Sequence, residues 1–185
     1  MKKDLGSHAY LFPMPVLIIS TYNDDNTYDA MNAAWGSICD HNKVALYLGE
    51  DHRTFKNIEK RKAFCVAFCV DGHVAQCDFV GLVSANNDSN KMAKSGFSMS
   101  ASANVDAPVI NELPVCLECN LESIDYESGC VVGDIVNVLA DDAVLTDGKI
   151  DMNKFKPIAY NSADHGYYVL GGRVGNAFHD GLSLK

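Results

Sequence analysis

The sequence predicts a mostly β fold: an antiparallel, Greek-key-like barrel, closed or split, with a few short helices at its edges. Three observations carry this reading. Short apolar runs rich in β-branched residues recur along the chain between turn-forming clusters, as expected for six or seven strands. Two long runs, residues 115–126 and 130–140, are joined by Glu127-Ser128-Gly129, a tight connection in which glycine suits a positive φ. Helical periodicity, by contrast, is confined to short stretches.

Residues 15–21 form a continuous apolar run that leads through Asn23-Asp24-Asp25-Asn26 into an extended segment over 27–32, a hairpin pattern. Residues 43–48 read as a third strand. Residues 63–70 read as a fourth, whose unbroken hydrophobicity predicts burial on both faces. Between them lies a helix over 52–61 with Phe55 and Ile58 on its inner face. A second helix is expected over 73–83 and a short third one over 89–95. In the first long run, Leu117, Cys119 and Leu121 should face one way and Glu118, Asn120 and Glu122 the other. A last strand over 166–171 ends in glycines. Residues 1–185 read as one domain, because no repeat, low-complexity tract or linker interrupts them. A chain of 185 residues with 48% hydrophobic content buries roughly 70% of its unfolded surface without needing disulfides.

Composition narrows the partners. A formal charge of −9 argues against nucleic acid or an anionic membrane, both of which are bound largely by basic surface. The lysines at the start precede an apolar run, but Asp4 and His8 interrupt the approach and Pro13 and Pro15 break any signal-peptide helix. No apolar run nears the roughly 20 residues that span a bilayer. The 7 cysteines are odd in number and scattered through apolar segments, which suits reduced thiols and a cytoplasmic location.

Two stretches carry the candidate chemistry. In Asp29-Ala30-Met31-Asn32-Ala33-Ala34-Trp35-Gly36-Ser37 the small side chains let a flat ring approach the backbone, whose N–H and C=O groups can bond its edge. In Asp51-His52-Arg53-Thr54-Phe55-Lys56-Asn57-Ile58, Asp51 is expected to cap a helix whose first-turn N–H groups, with Arg53 and Thr54, suit a phosphate. Thr54 and Asn57 are three apart and share a face. Arg53, Lys56, Lys60, Arg61 and Lys62, opposed only by Glu59, make a local positive patch on an acidic chain. Each residue has a plainer reading: Trp35 as a core aromatic, Asn32 as a strand terminator, Thr54 and Asn57 as ordinary helix residues, and His52 as a surface histidine. No Ser/His/Asp or paired-carboxylate constellation stands out, so no catalytic residue is assigned. Cys116-x-x-Cys119 has metal-ligand spacing, but a strand sends the two thiols to opposite faces and no second pair completes a set, so no metal is expected.

Four segments in order, Pro15-Val16-Leu17-Ile18-Ile19-Ser20-Thr21, Asn32-Ala33-Ala34-Trp35, His52-Arg53-Thr54-Phe55-Lys56-Asn57-Ile58 and Tyr168-Val169-Leu170-Gly171-Gly172-Arg173-Val174-Gly175, resemble the flavin reductase-like family of FMN-binding split β-barrels, near its flavoredoxin branch. The resemblance implies a homodimer with FMN near the subunit interface. It also implies that Asn32, Ala33, Ala34 and Trp35, with Ser37 beside them, line the isoalloxazine. Arg53, Thr54 and Asn57 would then hold the phosphate, with Ser84 and Lys91 adding polar contacts to its tail; His52, read from its place beside them, is the candidate for an added partial charge. Isoalloxazine performs hydride and electron transfer itself, which accounts for the missing acid or nucleophile. Gly171-Gly172-Arg173-Val174-Gly175 lacks dinucleotide-fold spacing, so NADH or NADPH would dock in a surface cleft. The expected activity passes electrons from a reduced nicotinamide or a protein donor through FMN to a small-molecule or protein acceptor. The alternatives are a flavin-binding electron carrier without a nicotinamide site and, more remotely, a metal-binding interaction module.

Overall fold

The computed structural model describes residues 1–185. Its first strands are β1 (Met14–Pro15), β2 (Leu17–Tyr22), β3 (Tyr28–Ala33), β4 (Gly36–Asp40) and β5 (Lys43–Tyr47). Helix α1 (Arg53–Arg61), strand β6 (Ala63–Phe68), and helices α2 (Val74–Leu82) and α3 (Lys91–Ser95) follow. The later half holds β7 (Met99–Ala101), β8 (Pro108–Ile110), β9 (Val115–Asp125), β10 (Cys130–Ala140), β11 (Leu145–Thr146), β12 (Lys149–Ile150), β13 (Ile158–Asn161) and β14 (Gly166–Val169). No helix is long and apolar enough to cross a membrane.

The main sheet has 7 strands in the order β3-β2-β6-β9-β10-β5-β4, every pairing antiparallel. Its two outermost strands are neighbours in sequence. Laid flat, such a sheet would separate them by about 29 Å, whereas the link through Ala34 and Trp35 reaches at most about 11 Å. The sheet therefore curls until its edges meet at that dipeptide, and the result is a split barrel.

Leu17, Ile19, Leu46, Phe64, Val66, Cys119 and Val131 fill one side of the curl together with Phe55 and Ile58 of α1. On the other side, Ile18, Cys65, Ala67 and Cys116 pack against Cys77 and Val80 of α2 and against Phe97, Ile110 and Leu113. Strands β2 and β6 are thus buried on both faces, as the continuous hydrophobicity of 63–70 predicts for β6, and Cys116 and Cys119 lie in opposite layers. Gly133 of β10 is needed for the first of these layers. A Cβ built there would stand 2.3 Å from Cζ of the fully buried Phe64. Gly133→Ala should therefore lower the unfolding free energy by about 1–3 kcal/mol through overpacking, read as a reduced urea midpoint.

Three features depart from the sequence expectation. Strand β4 begins inside the segment read as a platform; it is a largely exposed edge strand, so it carries no burial pattern to betray it. The short strands β7, β8, β11, β12 and β13 likewise lie outside the strands the sequence predicts. Glu118, expected on a polar outer face, is fully buried. Its carboxylate accepts from Ser102 Oγ at 2.5 Å, Asn104 Nδ2 at 2.7 Å and Asn137 Nδ2 at 2.6 Å, tying the loop after β7 across β9 to β10. Burial works to raise the Glu118 pKa, but the three hydrogen bonds outweigh it and hold the carboxyl below its ordinary value.

Candidate functional site

Two neighbouring cavities flank the contact between the edge strand β3 and the C-terminal turn of α2, and together form the candidate groove. The first end is a cavity of ≈ 370 Å³ whose walls include Asp29, Met31, Asp51, His52, Arg53, Thr54, Ser84, Asn86 and Lys91. The second end, a cavity of ≈ 460 Å³, is lined by Asn32, Ala34, Asp78, Tyr160, His165 and Tyr167. Gly81 and Leu82 border both ends. A Cβ on Gly81 would meet the Asn32 Cβ at 2.8 Å, so glycine is what lets α2 close this tightly on the strand.

The first end is suited to an anion. Helix α1 starts at Arg53 after His52, and no side chain caps it. Its first-turn N–H groups therefore remain available, with the positive end of the helix dipole behind them. Asp51, expected as the cap, instead turns its carboxylate to solvent, 91% exposed and 3.8 Å from the His52 ring. Arg53 spends only Nε on the protein, donating to Asn86 Oδ1 at 3.0 Å, and Asn86 in turn donates to the Asp51 carbonyl at 3.0 Å. The guanidinium is thereby oriented while its terminal nitrogens stay unpaired.

Beneath this mouth sits a buried ion pair. Lys91 Nζ lies 3.3 Å from Asp29 Oδ1, and Thr54 Oγ1 donates to Asp29 Oδ2 at 2.6 Å. Desolvation pushes the Lys91 pKa down, and the Asp29 carboxylate only partly restores it. The contact with Lys91 offsets the Asp29 charge, and Arg53 is the cation at the cavity mouth, with the Asp51 carboxylate turned outward beside it.

The groove brings together His52, Arg53, Thr54, Ser84 and Lys91 at one end and Asn32 and Ala34 at the other. Asn57 does not line it; its amide donates to Thr21 Oγ1 at 3.0 Å and Asn23 Oδ1 at 2.9 Å behind the cavity. Ala33 packs in the barrel core. Trp35 and Ser37 instead line a separate apolar cavity of ≈ 910 Å³ with Tyr47 and the N-terminal arm around Tyr10 and Leu11. The basic patch is divided as well. Lys60 pairs with Asp24 at 2.7 Å, and Arg61 pairs with Asp106 at 3.3 Å and bonds the Asn23 carbonyl, all at the far end of α1, where cations suit the helix C-terminus. Sequence reasoning missed Asn86, which stands in the polar stretch between the second and third helices, and the rings contributed by β13 and β14.

At the second end, Tyr167 OH donates to Asp78 Oδ1 at 2.7 Å, and Tyr160 OH lies 2.7 Å from His165 Nδ1. Burial and the Asp78 carboxylate both push the Tyr167 hydroxyl above its ordinary pKa, so it stays a protonated donor.

Comparison with known proteins matches this architecture. The flavoredoxin of Desulfovibrio vulgaris (Miyazaki F) superposes with a TM-score of 0.94 at 30% identity, over 98% of this chain and 100% of that one. A flavoredoxin from Methanosarcina acetivorans gives 0.88 at 26% identity, with 100% of both chains covered. The FMN-binding domain of a flavin reductase-like enzyme from Shewanella baltica OS155 gives 0.80 at 19% identity over 88% of each chain, a likeness of fold. The model of the flavin reductase like domain matches residues 9–173. By that match the chain belongs to the flavin reductase-like family.

Proposed function

We propose that this protein binds FMN along the β3 groove and acts as an oxidoreductase, passing electrons from a reduced nicotinamide or a protein donor to an acceptor. The observation that carries the reading is the uncapped start of α1 with the half-committed Arg53, in a cavity that shares Gly81 and Leu82 with the one beside the small-residue edge at Asn32 and Ala34. These residues fit the cofactor. A phosphate is suited to the open N–H groups and Arg53, with His52 and Ser84 within the same walls. Ala34 leaves room for a flat ring, and Asn32, whose Nδ2 is fixed on the Cys77 carbonyl at 3.1 Å, offers its oxygen to the ring edge. Bound FMN would supply the hydride and electron chemistry; the chain's own work is binding, orientation and partial exclusion of water. Thr54 and Lys91 act one step back, holding Asp29 so that its charge does not repel the anion.

The purified protein should show flavin absorbance or take up added FMN stoichiometrically. Arg53→Gln should weaken FMN by about 10- to 100-fold in a fluorescence titration, as expected for losing a charge-assisted phosphate contact. An unchanged affinity would place the phosphate elsewhere. Anaerobic mixing with NADH or NADPH separates two activities: fast bleaching supports a nicotinamide-dependent enzyme, and none supports an electron carrier. The carrier reading is favoured by the 30% identity to a protein named flavoredoxin and by the lack of a dinucleotide-fold glycine motif. A homodimer belongs to the same proposal. Trp35, Ile38 and Tyr47 are at least half exposed around the cavity that the N-terminal arm borders, apolar surface suited to a second copy; sedimentation as a monomer at micromolar concentration would contradict it.

A further inference from the structure

We propose that the C-terminal arm, residues 170–185, docks in the apolar cavity beside Trp35 of a second copy of this chain, so that two chains exchange arms; the proposal rests on the homodimer reading above and names the surface that would form it. Residues 170–185 are exposed without exception. Val174 and Phe178 stand fully in solvent, Leu184 nearly so, and Leu182 about half. The arm nevertheless has a definite shape. The Asn176 N–H donates to Asp180 Oδ2 at 2.7 Å, Ser183 Oγ donates to the Asp180 carbonyl at 2.9 Å, and a helical turn spans Asp180–Leu184. Its hydrogen bonds all stay within the arm. A segment that holds a conformation while presenting its apolar side chains to water has its packing partner outside its own chain. The root of the arm agrees. A Cβ on Gly171 or Gly172 would meet nothing within 4 Å, and neither residue takes a left-handed φ, so packing within the chain does not call for glycine there; two in tandem give the arm a swivel.

The receiving surface is the ≈ 910 Å³ cavity walled by Tyr10, Leu11, Pro13, Trp35, Cys39 and Tyr47. The arm of the same chain leaves in the wrong direction to fill it. Strand β13 pairs antiparallel with both β1 and β14, so β1 and β14 run parallel. The N-terminal arm enters β1 from the cavity, at the end where Met14 faces Tyr160, whereas the C-terminal arm leaves β14 at the opposite end, where Val169 faces Ile158. A copy related by a two-fold axis offers the same cavity to that arm, and the exchange is then reciprocal. The areas match as well. The apolar side chains of one arm and one cavity together expose on the order of 1,000 Å², against the roughly 800 Å² that each partner buries in a standard interface. Ala34 walls both this cavity and the second end of the groove, so an arm seated here also shields the ring end of the cofactor site from water.

The full-length double variant Val174→Ser/Phe178→Ser tests the assignment, because both side chains are fully exposed in their own chain and their loss leaves the fold of one subunit untouched. In sedimentation the wild type should be a dimer at micromolar concentration, and the double variant should dissociate at least tenfold more readily. Cys39 is exposed and lines the cavity, which supplies a second readout. Treated with a short bis-maleimide, Val174→Cys should give a covalent dimer on a denaturing gel, with peptide masses joining residue 174 of one chain to Cys39 of the other, and Val174→Cys/Cys39→Ser should lose that link. A monomeric wild type overturns the homodimer reading. A dimer whose dissociation the double variant leaves unchanged, a link from residue 174 to Cys39 within one chain, or no link between them overturns the arm exchange alone.

Discussion

Asp29→Ala is expected to lower the unfolding free energy by about 3–5 kcal/mol, because it strands the buried Lys91 ammonium with no counter-charge. Asp29 is fully buried and Lys91 nearly so, and their 3.3 Å contact is completed by the Thr54 hydroxyl. The pH dependence identifies the cause. The Lys91 pKa in the folded state already lies below the ordinary 10.5. Between the folded and unfolded values the unfolded chain binds more protons, so stability rises with pH across that window. In Asp29→Ala the folded value falls further and the window widens downward. The deficit should therefore shrink as pH is raised toward 10.5. Urea unfolding at several pH values measures this. The double variant Asp29→Leu/Lys91→Met should lose less than Asp29→Ala alone, since replacing both charges leaves neither stranded.

Glu118→Leu is the second large effect. It removes the shared acceptor of the Ser102 hydroxyl and the Asn104 and Asn137 amides, donors that solvent can partly reach, so a total loss of about 2–3 kcal/mol is expected from the lost charge-assisted bonds. Glu118→Gln should be milder, because the two asparagine amides can turn over and accept from it. The sign with pH is opposite to that of Lys91. The folded-state pKa of Glu118 lies below its ordinary 4.5, so its contribution is fully present above that value. It is lost as pH falls from there through the lower folded value. The gap between wild type and Glu118→Leu should narrow over that acidic range, and a gap independent of pH would mean that packing rather than charge dominates.

These two carboxylates also mark where sequence reading runs out. The bounds of β10 and the course of β9 and α1 were legible, because alternation, apolar continuity and a glycine turn are local signals. The partner of Asp29 was not: Lys91 lies 62 positions away, and nothing local to either residue announces the pair. Glu118 obeys the alternation of its strand, yet its face is covered by the loop after β7, a tertiary fact that periodicity does not contain. At the candidate site, Arg53 could be placed at a helix start from sequence alone. The roles of Asn57 and Asp51 could not, since both depend on rotamer choice and on side chains from β2 and the loops around the groove. The Tyr160, His165 and Tyr167 cluster was invisible because β13 is short and aromatic residues on a hairpin look like ordinary packing.

The groove lies along the one lateral margin of β3 that no other strand occupies. A molecule filling it becomes the missing flank of the barrel. Conformational stability and occupancy are then linked by mass action, so that the melting temperature climbs with the logarithm of free ligand.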